Sequence, residues 1–537
     1  MNIKLRTFVA GAVGMVVAFG IVELVHGLYE PVPSVLVAVA QRIVELTPGG
    51  FATRAVETLG QADIPTLIAV VVLSTLALAG FLAYLSRRSP FLALAGVGVL
   101  AAVALAASFS EPSVAPIPTV LTVVGALGLG VAVAVFLLDV SELRTTKSVS
   151  QDEPPQPDGE LPSAGIRSRE AHSSRGIAVN RRNFLLLSGG AALAGLAAGG
   201  AGRLLAGEGA QETATTVDLS ASGIETLPAP LPEASLDVPG IPPLITPAED
   251  FYLIDTALTS PRINVDNYAL KIMGDVDNPI ELSYNDLLSM PTREADITLS
   301  CVSNEVGGGL VSNGRWTGVL LSDVLAEAGV SLDKISRASE QLVGRSVDGW
   351  TSGFLTKIAL DGREALVAFG LNGEELPLKH GYPVRLVVPG LYGYVSATKW
   401  LTEIELTNWD FDAYWIQRTW SKEGPILTQS RIDTVKDGDN LSPGTIQIGG
   451  IAWAPHRGIE RVEVSTDDGQ TWNDAKLAAQ LGIDTWRQYV YDWDAQPGKY
   501  TLKVRATDGE GETQTAKEAP PHPSGATGYH TIEATIR

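Results

Sequence analysis

ITLSCVSNEVGGGLVSNGRWTG, residues Ile297 to Gly318, holds the one cysteine of a 537-residue chain. Alternating Ile297 and Leu299 read as a strand ending at Cys301, and Gly307 to Gly309 follow as a loop whose backbone can approach a bulky ligand. A single thiol leaves no internal disulfide, no four-cysteine zinc site and no iron–sulfur cluster held by this chain's own thiolates. An isolated cysteine is ordinarily a small buried hydrophobe. At a strand end facing a glycine loop it suits instead one coordination position on a soft metal that an organic cofactor carries.

Outward from that stretch the chain continues through Arg315 to Gly329 (RWTGVLLSDVLAEAG), Leu371 to Gly390 (LNGEELPLKHGYPVRLVVPG) and Lys399 to Leu401 (KWL). In this order, behind a TLxC strand end, the motifs resemble the sulfite oxidase family of molybdopterin enzymes from about Phe251 to the C-terminus. The resemblance implies a molybdenum–molybdopterin cofactor, free of a nucleotide, with Cys301 as the metal ligand. It implies cofactor contacts from Tyr252, Asp348, His380, Arg385, Ser396, Thr398 and Lys399, and places Trp316, Trp420 and Asn304 with Cys301 on the catalytic side. A planar guanidinium such as Arg385 suits a phosphate. The family's two substrate arginines fall on Ile254 and Val306, with Glu305 beside the second. Losing two cations weakens attraction for a dianion such as sulfite, so a neutral or cationic small substrate is expected.

The net charge of −21, with no basic stripe, argues against nucleic acid as a partner. Mean hydropathy is +0.16, and the apolar excess lies in the N-terminal two-fifths. Four stretches, near 7–29, 66–86, 91–109 and 118–138, are long and uncharged enough to cross ~30 Å of hydrocarbon as helices. The basic turn Ser86 to Pro90 and the Lys4/Arg6 start assign those ends to the cytoplasm. Residues 31–60 read as an amphipathic helix lying at the interface. Residues 139–180 read as a disordered cytoplasmic linker. Asn180-Arg181-Arg182-Asn183-Phe184-Leu185 then resembles a twin-arginine export signal opening a fifth span, 181–206. Everything after Gly207 would thus be extracytoplasmic.

A Pro-rich tether over 207–247 leads to a molybdopterin domain over 248–430, whose mixed short strands and helices predict an α+β fold. Ser283 with Asp286 predicts one helix start, and Ser322 is expected to cap a second, whose Val324, Leu325 and Ala328 share a face. From 431 to 537 the strand-only runs IQIGGIAWA, RVEVSTDDGQTW, WRQYVYDW and YTLKVRATDGEG predict a β-sandwich. The resemblance makes it an immunoglobulin-like dimerisation module and the protein a homodimer. Of six histidines only His26 lies in a predicted span, so a membrane haem held by two histidines of this chain is excluded. Electrons are therefore expected to pass to or from a separate carrier, a cytochrome or a quinone-linked membrane protein. Sulfite oxidation proper, sulfoxide reduction, and a non-catalytic receptor with a β-sandwich tip remain as alternatives.

Overall fold

A computed structural model describes residues 3–29, 31–47, 51, 62–111, 114–142, 181–209 and 226–537. The chain divides into two compact units, Met1–Thr47 with Ala55–Ala214, and Thr215–Arg537 with Pro48–Arg54.

The first unit is helical: α1 (Ile3–Leu28), α2 (Val35–Leu46), α3 (Asp63–Ser86), α4 (Pro90–Ser108), α5 (Pro116–Glu142) and α6 (Arg181–Gly209). All but α2 are long and apolar enough to cross a membrane. Close backbone approach at small residues packs helices of this apolar kind. It does so at glycines of α1: a Cβ on Gly14 would stand 2.3 Å from the Gly130 carbonyl of α5, and one on Gly20 would stand 2.0 Å from that of Gly195 on α6. The short α2 starts where Ser34 Oγ accepts the Val37 N–H, within the amphipathic stretch expected at the interface. The expected linker 139–180 begins later than predicted, since α5 runs on to Glu142, and 143–180 lie outside the described residues.

The second unit is built on sheets, as its alternating patterns predict. One sheet runs β3–β4–β7–β8, comprising β3 (Thr292–Ser300), β4 (Val311–Leu320), β7 (Leu366–Leu371) and β8 (Glu374–Glu375), with β9 (Arg385–Val387) also on β7. Another runs β2–β1–β10–β5–β6, comprising β1 (Ala269–Gly274), β2 (Ile280–Ser283), β5 (Gln341–Ser346), β6 (Thr351–Leu355) and β10 (Leu401–Thr407), with β1 and β10 parallel. Ile297, Leu299 and Trp316 are fully buried in the core under the first sheet, where a large aliphatic side chain contributes about 1.5–3 kcal/mol. Register puts Ile297 opposite Gly314 and Ala295 opposite Trp316, so the cysteine leaves the sheet just past its most buried rungs.

Two short helices follow strands directly. Before α7 (Tyr284–Ser289), Ser283 and Asp286 form the expected reciprocal cap: Ser283 Oγ accepts the Asp286 N–H at 3.1 Å and Asp286 Oδ2 accepts the Ser283 N–H at 2.9 Å. The expectation for Ser322 does not hold. Chain direction turns at Leu320, the residue before α8 (Leu321–Glu327), which puts Ser322 inside the first turn. Val324, Leu325 and Ala328 are nonetheless buried together as their spacing predicts.

The C-terminal strands form two sheets about one core that includes Ile448, Val464, Tyr489, Leu502 and Ile532. One sheet has the order β11–β13–β17–β16: β11 (Gln429–Ile432), β13 (Gly444–Trp453), β17 (Arg487–Ala495) and β16 (Lys476–Leu477). The other has the order β12–β19–β18–β14–β15: β12 (Asp439–Leu441), β19 (His530–Ile536), β18 (Gly498–Asp508), β14 (Ile459–Ser465) and β15 (Asn473–Asp474). The Pro-rich tether needs correction. Its described part, from residue 226, is strapped to the catalytic unit: the Leu244 carbonyl accepts from Asn313 Nδ2 and from Trp486 Nε1, and Gln488 bonds both Leu236 and Pro242. Proline cannot donate to a ladder, so the segment stays extended and is held through its carbonyls instead.

Candidate active site

Cys301 sits where β3 gives way to a loop that closes on itself. Its N–H donates to the Leu310 carbonyl at 3.0 Å, its carbonyl accepts the Asn304 N–H at 3.1 Å, and the Leu310 N–H donates to Asn304 Oδ1 at 2.8 Å. The glycines are sterically required. A Cβ on Gly308 would lie 2.6 Å from Asn304 Oδ1, and one on Gly307, at φ +78°, would run into the His530 ring. Arg431 Nη1 donates to the Gly308 carbonyl at 2.6 Å. Two residues near the start and end of the C-terminal sandwich therefore clasp the cysteine loop.

The thiol lies 2.9 Å from Ser303 Oγ, and burial pushes its pKa up, so the free group is protonated at neutral pH. A metal would displace that proton. Among the described residues no three His, Cys, Asp or Glu side chains gather to hold a metal.

Near Tyr252 lies a cationic region. Tyr252 is raised first by its own burial and then by Cys301, and the Arg385 charge pulls it down, so the phenol has both groups in its surroundings. Arg385 is only 5 % exposed. Its Nη1 donates to the His380 carbonyl at 2.9 Å and its Nε to the Leu386 carbonyl, while its plane lies 5.0 Å from the Trp316 ring. Among the described residues no carboxylate touches it directly; burial holds its pKa down to about 10, partly offset by the charge of nearby Asp255. A buried guanidinium whose fork meets only backbone carbonyls suits a further anion. Lys399 is ion-paired with Asp255, donates to the Lys379 carbonyl at 3.0 Å, and is pushed down to about 8 by burial. Asp348, whose Oδ1 accepts the Trp350 N–H at 3.0 Å, adds negative charge near that pair. At the end of β5, two residues before Asp348, Ser346 Oγ is buried without a partner. One soft donor, a buried guanidinium and an orphaned hydroxyl fit a metal–dithiolene cofactor with a phosphate.

The structure sorts the sequence-predicted residues. Cys301, Tyr252, Arg385, His380, Lys399 and Asp348 come together. Trp316 is fully buried between Phe251 and Arg385, its Nε1 donating to the Ile297 carbonyl, so it backs the guanidinium. Asn304 Oδ1 closes the cysteine loop. The buried Ser396 hydroxyl bonds the Tyr392 carbonyl and that of Thr398 bonds Ser352 at 2.6 Å. Trp420 stands behind Tyr394, packed on Trp415 and His522, with Nε1 buried and unpartnered. Sequence reasoning missed Asp255, Tyr392 and His530. Tyr392 follows the Gly390 motif by two residues and feels the Cys301 charge; Asp255 and His530 carry no local signal at all.

A groove of about 510 Å³ borders this site, lined by Glu305, Val306, Glu518, Ala526, Tyr529 and His530 among others. It holds two carboxylates and no lysine or arginine among the described residues. Gly525, next to Ala526, abuts the Tyr392 hydroxyl, which ties the groove to the surroundings of Cys301. Burial is the main cause holding His380 down to about 3 and His530 to about 4. Both stay neutral in the fold while the unfolded chain protonates its histidines below about pH 6.5. Their contribution is thus intact above that pH and is lost as pH falls toward 4, at about 1.4 kcal/mol per pH unit for each. Thermal unfolding of His380→Gln is expected to show a shallower acid slope than wild type between about pH 6.5 and 4.5; parallel slopes would contradict the burial of a neutral His380.

Residues 257–415 match the family model of the oxidoreductase molybdopterin binding domain, and residues 422–518 that of the Mo-co oxidoreductase dimerisation domain. Mitochondrial sulfite oxidase of Rattus norvegicus is 31% identical over 274 residues, covering 44% of this chain and 50% of that protein. Sulfite oxidase of Arabidopsis thaliana is 28% identical over 292 residues, covering 46% and 72%. Among solved structures, the sulfane dehydrogenase SoxCD from Paracoccus pantotrophus aligns with a TM-score of 0.47 at 23% identity, over 57% of this chain and 86% of that one. The chain spans about half the length of the mammalian relatives it matches.

Proposed function

We propose, from the premise that residues 257–518 belong to the sulfite oxidase family of molybdopterin oxidoreductases, that this chain is a membrane-anchored enzyme transferring an oxygen atom to or from a small neutral or cationic substrate. The observation that carries the reading is a lone thiol, Cys301, and a buried guanidinium, Arg385, whose fork meets only backbone carbonyls, both in the surroundings of Tyr252. The bound molybdenum supplies the two-electron chemistry of oxygen exchange. Cys301 would be its thiolate donor. Arg385 would take the phosphate by charge-assisted hydrogen bonds, and Lys399, kept in place by Asp255, would add a second cation. His380 donates its Nε2–H to the Ala248 carbonyl at 3.0 Å and stays neutral, so it fixes the segment without adding charge.

The substrate side supports the departure from sulfite. Ile254, at one family arginine position, is 47% exposed and apolar, and the groove presents Glu305 and Glu518 where a dianion needs cations. The five apolar helices serve as anchor, with the basic turn at Ser86 to Pro90 on the cytoplasmic side and the catalytic unit on the other. The arginine pair before Phe184 acts as an export signal, a separate carrier exchanges electrons, and the C-terminal sandwich, immunoglobulin-like in kind, joins two copies. The test is steady-state turnover of enzyme from a molybdenum-cofactor-competent host, with sulfite against a neutral sulfoxide. Wild type should favour the sulfoxide, and Val306→Arg should raise kcat/KM for sulfite by about tenfold or more, through one restored charge contact. Efficient sulfite oxidation by wild type, unchanged in Val306→Arg, would overturn the substrate reading.

A further inference from the structure

The groove beside the cysteine loop has a polarity that oxygen transfer by itself does not require. Its ring donor comes from the C-terminal sandwich. His530 lines the groove, and its Nδ1 accepts the Ile432 N–H at 3.0 Å. Only an unprotonated nitrogen can accept, so the ring is neutral with its proton on Nε2. Burial first, and the Arg431 charge second, reinforce that state by holding the ring down to about 4. Nε2 has no hydrogen-bond partner among the described residues. The wall therefore carries an uncharged N–H donor that the protein leaves unused.

Around it the wall is rich in acceptors. Thr527 and Thr531 give their hydroxyl protons to the carbonyls of Lys517 and Tyr529, at 2.7 and 3.1 Å, so their oxygens are left to accept. Pro520 and Pro521 have no N–H, and Ala519 and Thr527 donate theirs to each other's carbonyls. Glu305 reaches the groove from the cysteine loop, and Glu518 from beside Gly528, where an added Cβ would stand 3.1 Å from Glu518 Cγ. Neither carboxylate forms an ion pair among the described residues. The volume of about 510 Å³ falls within the range of small-molecule sites.

A ligand that satisfies this wall has the reverse inventory, with several donors, a positive charge and one acceptor oxygen of no net charge. An ammonium group supplies three N–H donors and the charge together. An anion meets two carboxylates, and an uncharged ligand leaves both without a partner. We propose that the groove binds a small sulfoxide bearing a primary ammonium group, with Glu305 and Glu518 facing the ammonium and the His530 Nε2–H donating to the sulfoxide oxygen. The sulfoxide rests on the oxygen-transfer reading above, whereas the ammonium rests on the groove alone.

Full-length protein in detergent would be titrated calorimetrically with methylsulfinyl-ethylamine, dimethyl sulfoxide and methylsulfinyl-acetate, with no electron donor present, so that binding is read apart from turnover. The ammonium probe should bind at least about tenfold more tightly than either of the others, an advantage that shrinks in high salt. Glu305→Gln and Glu518→Gln should each weaken it by about two- to fivefold, the range of a solvent-screened ion pair, and leave dimethyl sulfoxide unchanged. His530→Asn keeps an acceptor for the Ile432 N–H and drops the Nε2–H, so it should melt near wild type and bind both the ammonium probe and dimethyl sulfoxide about three- to tenfold more weakly. Cys301→Ser should bind the ammonium probe as wild type does, so a failure of the molybdenum reading would leave this result standing. Equal affinity for the charged and uncharged sulfoxides, a charge preference that survives in both glutamine variants, or full affinity in a folded His530→Asn would overturn the proposal.

Discussion

Cys301→Ser is expected to lower turnover on the order of 10³-fold or more, as loss of a group acting directly on the reacting centre does, while the folded protein persists. The substitution changes one atom in a loop whose closure depends on the backbone and on Asn304, neither of which it touches. The cost to stability should stay near ~1 kcal/mol. The chemical change is larger. A thiolate is a soft, strongly donating ligand with an accessible pKa, whereas a serine hydroxyl is a hard donor that gives up its proton far less readily. Molybdenum content should therefore survive, held by the cofactor's own contacts, while the metal's X-ray absorption spectrum shows one sulfur neighbour fewer. Retained turnover with an unaltered spectrum would remove Cys301 from the centre.

Arg385→Met separates cofactor binding from folding. The guanidinium is buried against Trp316, bonded to two backbone carbonyls, with Asp255 near it but no ion pair between them among the described residues, so the empty protein carries its charge at a cost. Replacing it with an apolar side chain of similar length should leave the melting temperature of cofactor-free protein equal or higher. Affinity for the phosphate-bearing cofactor should move the other way. Breaking a buried charge pair costs about 3–5 kcal/mol, or roughly 10²- to 4 × 10³-fold in affinity, read as occupancy under limiting cofactor. Arg385→Lys should recover only part of this, because an ammonium offers a point charge in place of a planar fork. Pterin and molybdenum measured together report the outcome, and full occupancy in Arg385→Met would show that the phosphate lies elsewhere.

How much of this site could be read from residue order depends on the range of the interaction concerned. The strand before Cys301, the capped start of α7 and the five apolar helices depend on period and near neighbours, and each is legible in the chain. Cys301, Tyr252, Arg385, His380 and Lys399 were reached as members of ordered motifs, and they do converge. Ser322 misled because a strand feeding straight into α8 moved the turn to Leu320, and a hydroxyl has no way to announce which side of such a junction it falls on.

The surroundings of the other site residues have one physical cause. Asn304, Trp316, Ser396 and Thr398 are of the right types in the right order, but whether a polar side chain faces a ligand or a neighbouring backbone is decided by what packs against it. The Pro-rich segment could be seen as extended, yet only Asn313, Trp486 and Gln488 made it a strap. Element type, the lone soft donor and the absence of cations at Ile254 and Val306 are properties of composition and local period, so the chain alone determined them. The pairing of Asp255 with Lys399, the seating of Gly307 on His530 and the burial of Arg385 needed the folded structure, because charge and hydrogen-bond balance are set by partners that are distant in sequence and adjacent only in space.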